Sequence, residues 1–365
     1  MVEPESTAKS KRSQAEPPKV ETQGIAQVLR MANTSEYAPV LARYPANCRP
    51  SRVECLQGAG GFSGARFWRL TTPRGLLCLR RWPPEYPTVE RLQFIQAVLW
   101  HVNVEGFELS PLPLEADDHA GFVEHQGALW QLEPWMPGVA DYHASPSEAR
   151  LRSALAALAR FHLAAASFPL AENRLLPSPR LLQRRDRLVA LRAGELDRLA
   201  AAIQPGKWPA LAERATRLVQ LVRLAADRVG QTLASAVPLE VPIQPCIGDV
   251  WHDHVLFLAD SVTGIVDFGG MRADTVAGDI ARLLGSLVAD DATGWQIGLA
   301  AYDRCRPLLP DERRLVTAFD RSGVLLSGLE WIEWIYVDRR VFSSPAAIES
   351  RLDTGIARLA RLIAP

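Results

Sequence analysis

The sequence predicts an α+β fold of two lobes, in which a small antiparallel-sheet lobe precedes a larger, mainly helical lobe. Residues 53–133 hold short alternating apolar runs separated by turns, with one helical segment among them, whereas apolar spacing after Ser147 is mostly helical. The chain has 365 residues, of which 48% are hydrophobic. That length suits two lobes around one cleft, or two small domains.

The first lobe is predicted over residues 23–133. Residues 1–22 are polar and charged, have almost nothing to bury, and are predicted to form a disordered tail. Turn signals at Gly58-Ala59-Gly60-Gly61, Pro73-Arg74-Gly75 and Gln126-Gly127 separate the strands. The elements expected in this lobe are helical spacing over 24–43, strands within 53–79, a helix over 88–102, and two strands over 121–133.

The second lobe is predicted over residues 134–365. Residues 151–168 carry apolar side chains at helical spacing and form a core helix. Residues 180–232 are long amphipathic helical stretches rich in Arg and Leu, interrupted near Pro205-Gly206. We interpret them as helices inserted in this lobe. Each helix packs one apolar stripe against the lobe and leaves its other face in solvent. A β-hairpin is expected over 246–269.

Bulk composition excludes several classes of function. The formal net charge is zero, whereas a nucleic-acid-binding surface is usually basic. The first residues are too polar for a signal peptide, and no apolar run reaches the length of a membrane span. Five cysteines are scattered without a paired metal-ligand spacing, which is typical of reduced thiols in a cytoplasmic protein. The oligomeric state is not predicted.

The most informative stretch runs from Cys246 to Leu284. Asp249 lies in a turn before a short apolar strand, a tight turn follows, and a second strand delivers Asp267-Phe268-Gly269. Asp279 then opens a helix. A hairpin that brings two carboxylates to one cleft suits phosphoryl transfer, in which one accepts a proton and the other holds a metal ion on the phosphates.

This stretch resembles the aminoglycoside phosphotransferase and choline-kinase-like branch of the protein-kinase fold. The order and spacing of Gly248-Asp249, Asp267-Phe268-Gly269 and Asp279-Ile280-Ala281 match that family, but Ile247 stands where His is usual and His254 where Asn is usual. The resemblance implies a two-lobed protein-kinase-like fold. It also implies ATP-dependent phosphorylation of a hydroxyl on a small-molecule acceptor, with ATP and Mg²⁺.

In this comparison Asp249 is the catalytic base and Asp267 a metal ligand, although either could be an Asp that caps a local turn. His254 takes the place of the second metal ligand. Mg²⁺ prefers hard oxygen ligands, whereas imidazole suits Zn, Mn or Fe better. The ring could therefore bind another metal, hydrogen-bond a phosphate, or orient Asp249.

On the nucleotide side, Gly58, Gly60 and Gly61 form a loop whose backbone N–H groups could approach phosphates. No Lys occurs between positions 20 and 206, so Arg80, at the end of the strand that begins at Leu76, is the candidate phosphate anchor. The alternative is an edge-strand Arg in solvent. Glu90 could pair with Arg80, or could be only a first-turn acid favoured by the helix dipole.

The segment Leu132 to Gly138 resembles the family's hinge, where backbone groups bind adenine. Pro134 lacks an N–H, so the hydrogen bonds are expected from around Glu133 and Trp135.

The departures at Ile247 and His254 leave a second hypothesis open. It is a catalytically impaired pseudokinase that binds nucleotide or a metabolite and regulates a partner. Metal-dependent nucleotide turnover distinguishes the two.

Overall fold

The structure, a computed structural model, describes residues 34–56, 64–170, 175–206, 208–340, 342 and 345–364. The glycines 58, 60 and 61 and the predicted tail lie outside these residues. Among the described helices, none combines the length and apolar character that a bilayer span needs.

The small lobe is one antiparallel sheet of five strands in the order β1-β2-β3-β5-β4. Consecutive strands β1, β2 and β3 are neighbours, and the chain leaves through helix α2 before β5 pairs with β3. These elements are α1 Thr34–Leu41, β1 Arg52–Leu56, β2 Arg66–Thr72, β3 Gly75–Arg81, α2 Val89–Val104, β4 Val123–His125 and β5 Ala128–Pro134.

Alternation along the strands builds the core of this lobe. Trp68 and Leu70 on β2 are two residues apart and therefore share a face, where both are buried. Trp68 stacks on Trp130 of β5 with ring centroids 5.3 Å apart. Tyr37 of α1 covers the same face, its ring 6.2 Å from that of Trp68.

Helix α2 connects the two lobes. Thr88 caps its N-terminus by accepting a hydrogen bond from Arg91 N–H at 3.3 Å. Its residues Ile95, Leu99 and Val102 are buried in the same cluster as the core of the large lobe. The strand and helix order of the sequence prediction is therefore observed, with α2 extending two residues beyond the predicted end.

The large lobe is mainly helical. Helix α3 lies at its centre, with Leu155, Leu158 and Phe161 fully buried, because its apolar residues recur at helical spacing. The helices are α3 Glu148–Ala165, α4 Pro179–Ala190, α5 Leu196–Ala202, α6 Pro209–Ala236, α7 Ala277–Val288, α8 Ala292–Cys305, α9 Pro310–Ile332 and α10 Pro345–Ile363. The interruption predicted near Pro205 falls between α5 and α6.

Short strands of the large lobe position the cleft loops. They form three antiparallel pairs, β6 with β7, β8 with β11, and β9 with β10. Their bounds are β6 Leu175–Pro177, β7 Glu240–Pro242, β8 Gln244–Cys246, β9 Val255–Leu258, β10 Ser261–Ile265 and β11 Arg272–Asp274. Because Cys246 pairs with Arg272, the loop after β8 and the loop before β11 meet at one end of this pair.

The segment between the lobes is held against the hairpin. Val139 and Phe257 exchange backbone hydrogen bonds of 3.1 and 2.9 Å. The preceding Gly138 has φ +100°, and a Cβ there would lie 2.5 Å from Thr263 Oγ1. Only glycine fits this close approach.

Candidate active site

Asp249 lies in the loop between β8 and β9, at the mouth of the cleft. The preceding Gly248 has φ +82°, and a Cβ there would lie 2.1 Å from the carbonyl oxygen of Gly270. This approach presses the Asp249 loop onto the loop that follows Asp267. The Asp249 side chain is 53% exposed, and its Oδ1 accepts a hydrogen bond from Arg282 Nε at 3.1 Å. Asp249 is thus fixed through one oxygen and open to the cleft.

A buried carboxylate anchors the Asp249 loop from beneath. Asp279, in the first turn of α7, is 2% exposed. It accepts hydrogen bonds from the backbone N–H groups of Ile247 at 2.6 Å and Gly248 at 2.8 Å. Hydrogen bonds to an ionised acceptor are the stronger ones in proteins. Asp279 therefore sets the backbone conformation of the two residues before Asp249.

His162 of α3 supports that carboxylate in turn. Its Nε2 lies 3.1 Å from Asp279 and its Nδ1 lies 2.7 Å from the hydroxyl of Tyr302. Burial lowers the pKa of His162, with the neighbouring Asp279 carboxylate acting in the opposite direction. Ile247, which stands where the resembled family has His, is fully buried among apolar side chains. The bracing of the loop thus comes from Asp279 rather than from position 247.

His162, Cys246 and Asp279 place ligand atoms within 4.8 Å of one another, as a metal site requires. Their hydrogen bonds argue for a structural network instead. Both oxygens of Asp279 already accept from backbone N–H groups. The Cys246 thiol lies 3.3 Å from the carbonyl oxygen of Asp274, and burial raises its pKa well above the usual value, which disfavours the thiolate that binds metals.

Asp267 follows the hairpin in a left-handed conformation, with φ 62° and ψ 72°. Such a conformation is strained for a non-glycine residue and clusters at functional sites. Burial alone would raise the Asp267 pKa, but the guanidinium of Arg80 holds it below the usual value. Asp267 is therefore an ionised carboxylate facing the cleft.

Arg80 crosses from β3 to Asp267. Its Nη2 donates to Asp267 Oδ1 at 3.0 Å, and only 6% of its side chain is exposed. The guanidinium lies 3.3 Å from the ring centroid of Trp82, an arrangement that attracts a cation to the ring face. Its Nε is buried and has no hydrogen-bond partner within the described part of the chain. Arg80 thus enters the cleft instead of lying in solvent.

His254 bridges the two carboxylate loops. Its Nε2 accepts the indole N–H of Trp251 at 2.9 Å and lies 3.6 Å from Asp267 Oδ2. An indole nitrogen only donates, so the His254 proton is on Nδ1, which donates to the carbonyl oxygen of Asp249 at 3.0 Å. Of the three roles predicted for His254, this geometry matches the orienting one, because both ring nitrogens are engaged.

The predicted hinge connects β5 to the large lobe. Trp135 N–H, expected to be available to a ligand, instead donates to the carbonyl oxygen of Leu76 at 3.0 Å, since pairing with β3 continues past Pro134. Antiparallel pairing alternates, so the carbonyl of Pro134 and the N–H of Met136 point away from β3. These two groups, one and three residues after Glu133, are the hinge groups that the pairing with β3 does not use.

The Glu133 side chain has an unusual environment. Its carboxylate accepts a hydrogen bond from Gln131 Nε2 at 2.6 Å. Burial raises the pKa of Glu133 to about 7, although Arg80 and the hydrogen bond from Gln131 lower it. Glu133 consequently titrates near neutral pH beside Arg80.

Glu90 does not pair with Arg80: no ion pair joins them among the described side chains, and Arg80 is bonded to Asp267 instead. Glu90 is exposed in the first turn of α2. Its pKa is lowered by hydrogen bonds from its own backbone N–H and from the Thr88 hydroxyl. Of the two predicted roles, the structure shows the first-turn acid.

Sequence reasoning missed four side chains that shape the site, namely His162, Trp251, Arg282 and, as a loop anchor, Asp279. Only Asp279 had a usable signal, its place in Asp279-Ile280-Ala281 at a helix start. The contact of His162 with Asp279 joins residues 117 positions apart, and nothing in the local pattern indicates it.

The comparisons with known proteins agree with this geometry. The model of the phosphotransferase enzyme family (APH) matches residues 54–315. A homoserine kinase of Allorhizobium ampelinum is 26% identical over 272 residues, which cover 73% of this chain and 76% of that protein. A homoserine kinase of Methylocella silvestris is 25% identical over 324 residues, covering 84% and 88%.

Solved structures confirm the predicted protein-kinase-like fold. Amicoumacin kinase in complex with AMP-PNP, Ca²⁺ and Ami has a TM-score of 0.62 and 13% identity, covering 91% of this chain and 94% of that one. An aminoglycoside phosphotransferase of Alicyclobacillus acidocaldarius has a TM-score of 0.60 and 14% identity, covering 89% and 93%. The expectation of an enzyme is confirmed as well: the chain belongs to the phosphotransferase enzyme family.

Proposed function

We propose that this enzyme transfers the γ-phosphoryl group of ATP to a hydroxyl of a small acceptor, with Asp249 as the catalytic base and Asp267 as the metal-binding carboxylate. The observation that carries the proposal is the meeting of the two loops. Gly248 and Gly270 are in contact, His254 spans Asp249 and Asp267, and Arg80 reaches Asp267 from the small lobe.

Asp249 acts on the acceptor. Its Oδ1 is held by Arg282, which leaves Oδ2 to accept the proton of the attacking hydroxyl. As the acceptor oxygen forms its bond to the γ-phosphorus, the bond to the β,γ-bridging oxygen breaks and ADP leaves. The loop holds the Asp249 carboxylate in place for this step. A general base raises the rate by about 10²–10⁴-fold only where it reaches the proton.

Arg80 anchors the phosphates in place of the lysine that kinases usually carry. Its guanidinium is a permanent cation with several donors, and one of them is used by Asp267. Gly58, Gly60 and Gly61 precede β2 and remain the proposed phosphate loop. The carbonyl of Pro134 and the N–H of Met136 are the proposed partners of adenine.

A divalent metal fits at Asp267. Mg²⁺ is often held by one or two carboxylates together with substrate phosphates and water, and the Oδ2 of Asp267 is not used by Arg80. When bound, the metal neutralises charge that develops on the phosphates. His254 does not complete the ligand set as it stands, because its Nε2 accepts from Trp251. The fit therefore favours Mg²⁺ with a single carboxylate over a carboxylate–imidazole site for Mn²⁺.

Homoserine is the first acceptor to test, because several relatives are homoserine kinases. The experiment measures ADP release from ATP with Mg²⁺ or Mn²⁺ across a panel of small alcohols that includes homoserine, choline and an aminoglycoside. We expect at least one acceptor to stimulate ADP release well above the rate with water. Failure of every acceptor with every metal would overturn the proposal.

A further inference from the structure

Two arginines converge on the residue that precedes the catalytic base. Arg180 of α4 donates from Nη1 to the carbonyl oxygen of Gly248 at 2.6 Å. Arg272 of β11 approaches from the other side, its Nε 3.1 Å from the place that a Gly248 Cβ would occupy. Both side chains line one narrow crevice beside the Asp249 loop. A third arginine, Arg282, contacts Asp249 itself.

Arg180 and Arg272 have no carboxylate partner in an ion pair within the ranges that the structure describes, although ion pairs hold many of the other arginines. Arg272 donates from Nε to the Gly270 carbonyl oxygen at 3.0 Å, which leaves its two terminal NH₂ groups for a ligand. Half-buried guanidinium groups without a counter-ion are unfavourable, so a ligand that supplies the missing charge is expected nearby.

Electrostatics around Arg272 point the same way. Burial lowers the Arg272 pKa, and the next causes are two like charges, Arg180 and Arg91. Arg91 reaches this region through Tyr86, whose hydroxyl accepts from Arg91 Nε at 3.2 Å and donates to the Gly269 carbonyl oxygen at 2.6 Å. Positive charge thus surrounds Arg272 on both sides.

The nearby acids offset only part of this charge. Asp274 is buried and already accepts from the Ser178 hydroxyl at 2.7 Å and from the Arg180 backbone N–H at 3.1 Å. Burial raises the pKa of Asp274 and of Glu330, and both Arg180 and Arg282 oppose the shift at Glu330. Among the described side chains neither acid forms an ion pair with Arg180 or Arg272, and Asp249 is the proposed catalytic base.

We infer that Arg180, Arg272 and Arg282, the arginine cluster, bind an anionic oxyacid group of the acceptor, a carboxylate or a phosphate, beside the hydroxyl that is phosphorylated. The inference rests on the proposed function and names its substrate class. A guanidinium offers paired donors that match the oxygens of either group. Because the cluster adjoins Asp249, the acid group and the reacting hydroxyl of the acceptor must be close together, as they are in a short molecule. Bulky cationic acceptors are disfavoured.

The test uses acceptor pairs that differ only in charge. The first pair is 4-hydroxybutyrate and 4-hydroxybutyramide, and the second is glycerol 3-phosphate and glycerol, so that a carboxylate and a phosphate are examined separately. Binding is measured by calorimetry with AMP-PNP and Mg²⁺, and turnover is measured as ADP release. Wild type is compared with Arg272→Gln and with the exposed control Arg152→Gln on α3.

We expect one anionic probe to bind at least about tenfold more tightly than its neutral partner, since hydrogen bonds to charged groups carry such energies. Arg272→Gln should remove most of that preference without changing AMP-PNP affinity or the unfolding midpoint, and Arg152→Gln should keep it. Equal binding of charged and neutral probes by wild type would overturn the inference even if turnover is observed. Charge-dependent binding would uphold the cluster even if these probes give no turnover, and the acceptor panel with several metals then tests the proposed function separately.

Discussion

Replacing the buried anchor Asp279 should separate positioning of the base from binding of the nucleotide. Asp279→Ala leaves the backbone N–H groups of Ile247 and Gly248 without their acceptor in a fully buried setting. An unsatisfied buried donor costs about 1–3 kcal/mol, so the alanine variant should lose about 2–6 kcal/mol of unfolding free energy. Against a typical total of about 5–15 kcal/mol, this variant is marginal.

Asp279→Asn is therefore the informative variant. Its amide has the same shape but only one accepting oxygen, so one of the two backbone donors loses its partner, at about 1–3 kcal/mol. The loop then relaxes and Asp249 moves with it. A displacement of about 1 Å at a reacting group costs on the order of 100-fold in rate. We expect kcat to fall by about 10–100-fold, with ATP affinity within about twofold of wild type.

The assay combines urea denaturation with steady-state kinetics, and the matched control is Asp186→Asn. Asp186 lies on the surface of α4 with a side chain 66% exposed, paired only with its neighbour Arg185. The control should match wild type in both measurements. If Asp279→Asn kept the wild-type denaturation midpoint and kcat, the anchoring role would be refuted.

Three further predictions follow from the cleft. Arg80→Gln should weaken ATP binding, measured by calorimetry, by about tenfold or more, whereas Arg52→Gln, at an exposed position, should not. Equal ATP affinities of Arg80→Gln and wild type would show that Arg80 does not bind the phosphates. The Glu133 pKa is raised to about 7, so the folded protein holds this proton more tightly than the unfolded chain does. The free energy of unfolding of the wild type should therefore fall by about 1–3 kcal/mol as the pH rises through 5–7, a range that already allows for the partial exposure of the side chain. Glu133→Gln should lack that slope in urea denaturation at pH 5, 6, 7 and 8, and parallel curves would contradict the assignment. Trp251→Phe removes the donor to His254 Nε2, so the ¹⁵N resonance of Nε2 should shift while Nδ1 stays protonated against the Asp249 carbonyl oxygen; an unchanged Nε2 resonance would show that the indole does not donate to it.

Much of the fold could be predicted because its signals are local. The alternation of Trp68 and Leu70, the turn at Gln126-Gly127 and the helical spacing of α3 are all visible within a few residues. The hairpin that carries Asp267 was predicted for the same reason. Chain order then implied that Asp249 and Asp267 meet, since a short antiparallel hairpin returns the chain to its starting point.

The remaining features depend on contacts between distant residues. Glu90 sits in a helix start that satisfies its carboxylate locally, so the pair with Arg80 that the family resemblance suggested does not form. Trp135 loses its free N–H because the pairing with β3 continues past Pro134 and reaches Leu76. The anchoring of Ile247 by Asp279 bridges 32 positions, and no periodic pattern reports it.

The central claim is that Asp249 is the base of a phosphoryl transfer in the cleft. The most direct measurement compares wild type with Asp249→Asn in metal-dependent transfer of the γ-phosphoryl group of ATP to an acceptor, with ATP affinity determined in parallel. Because the base acts on the chemical step, kcat should fall by about 10²–10⁴-fold while the Kd for ATP stays within about threefold. A wild type that binds ATP but shows no turnover with any acceptor and metal, or an Asp249→Asn variant that turns over normally, would contradict it.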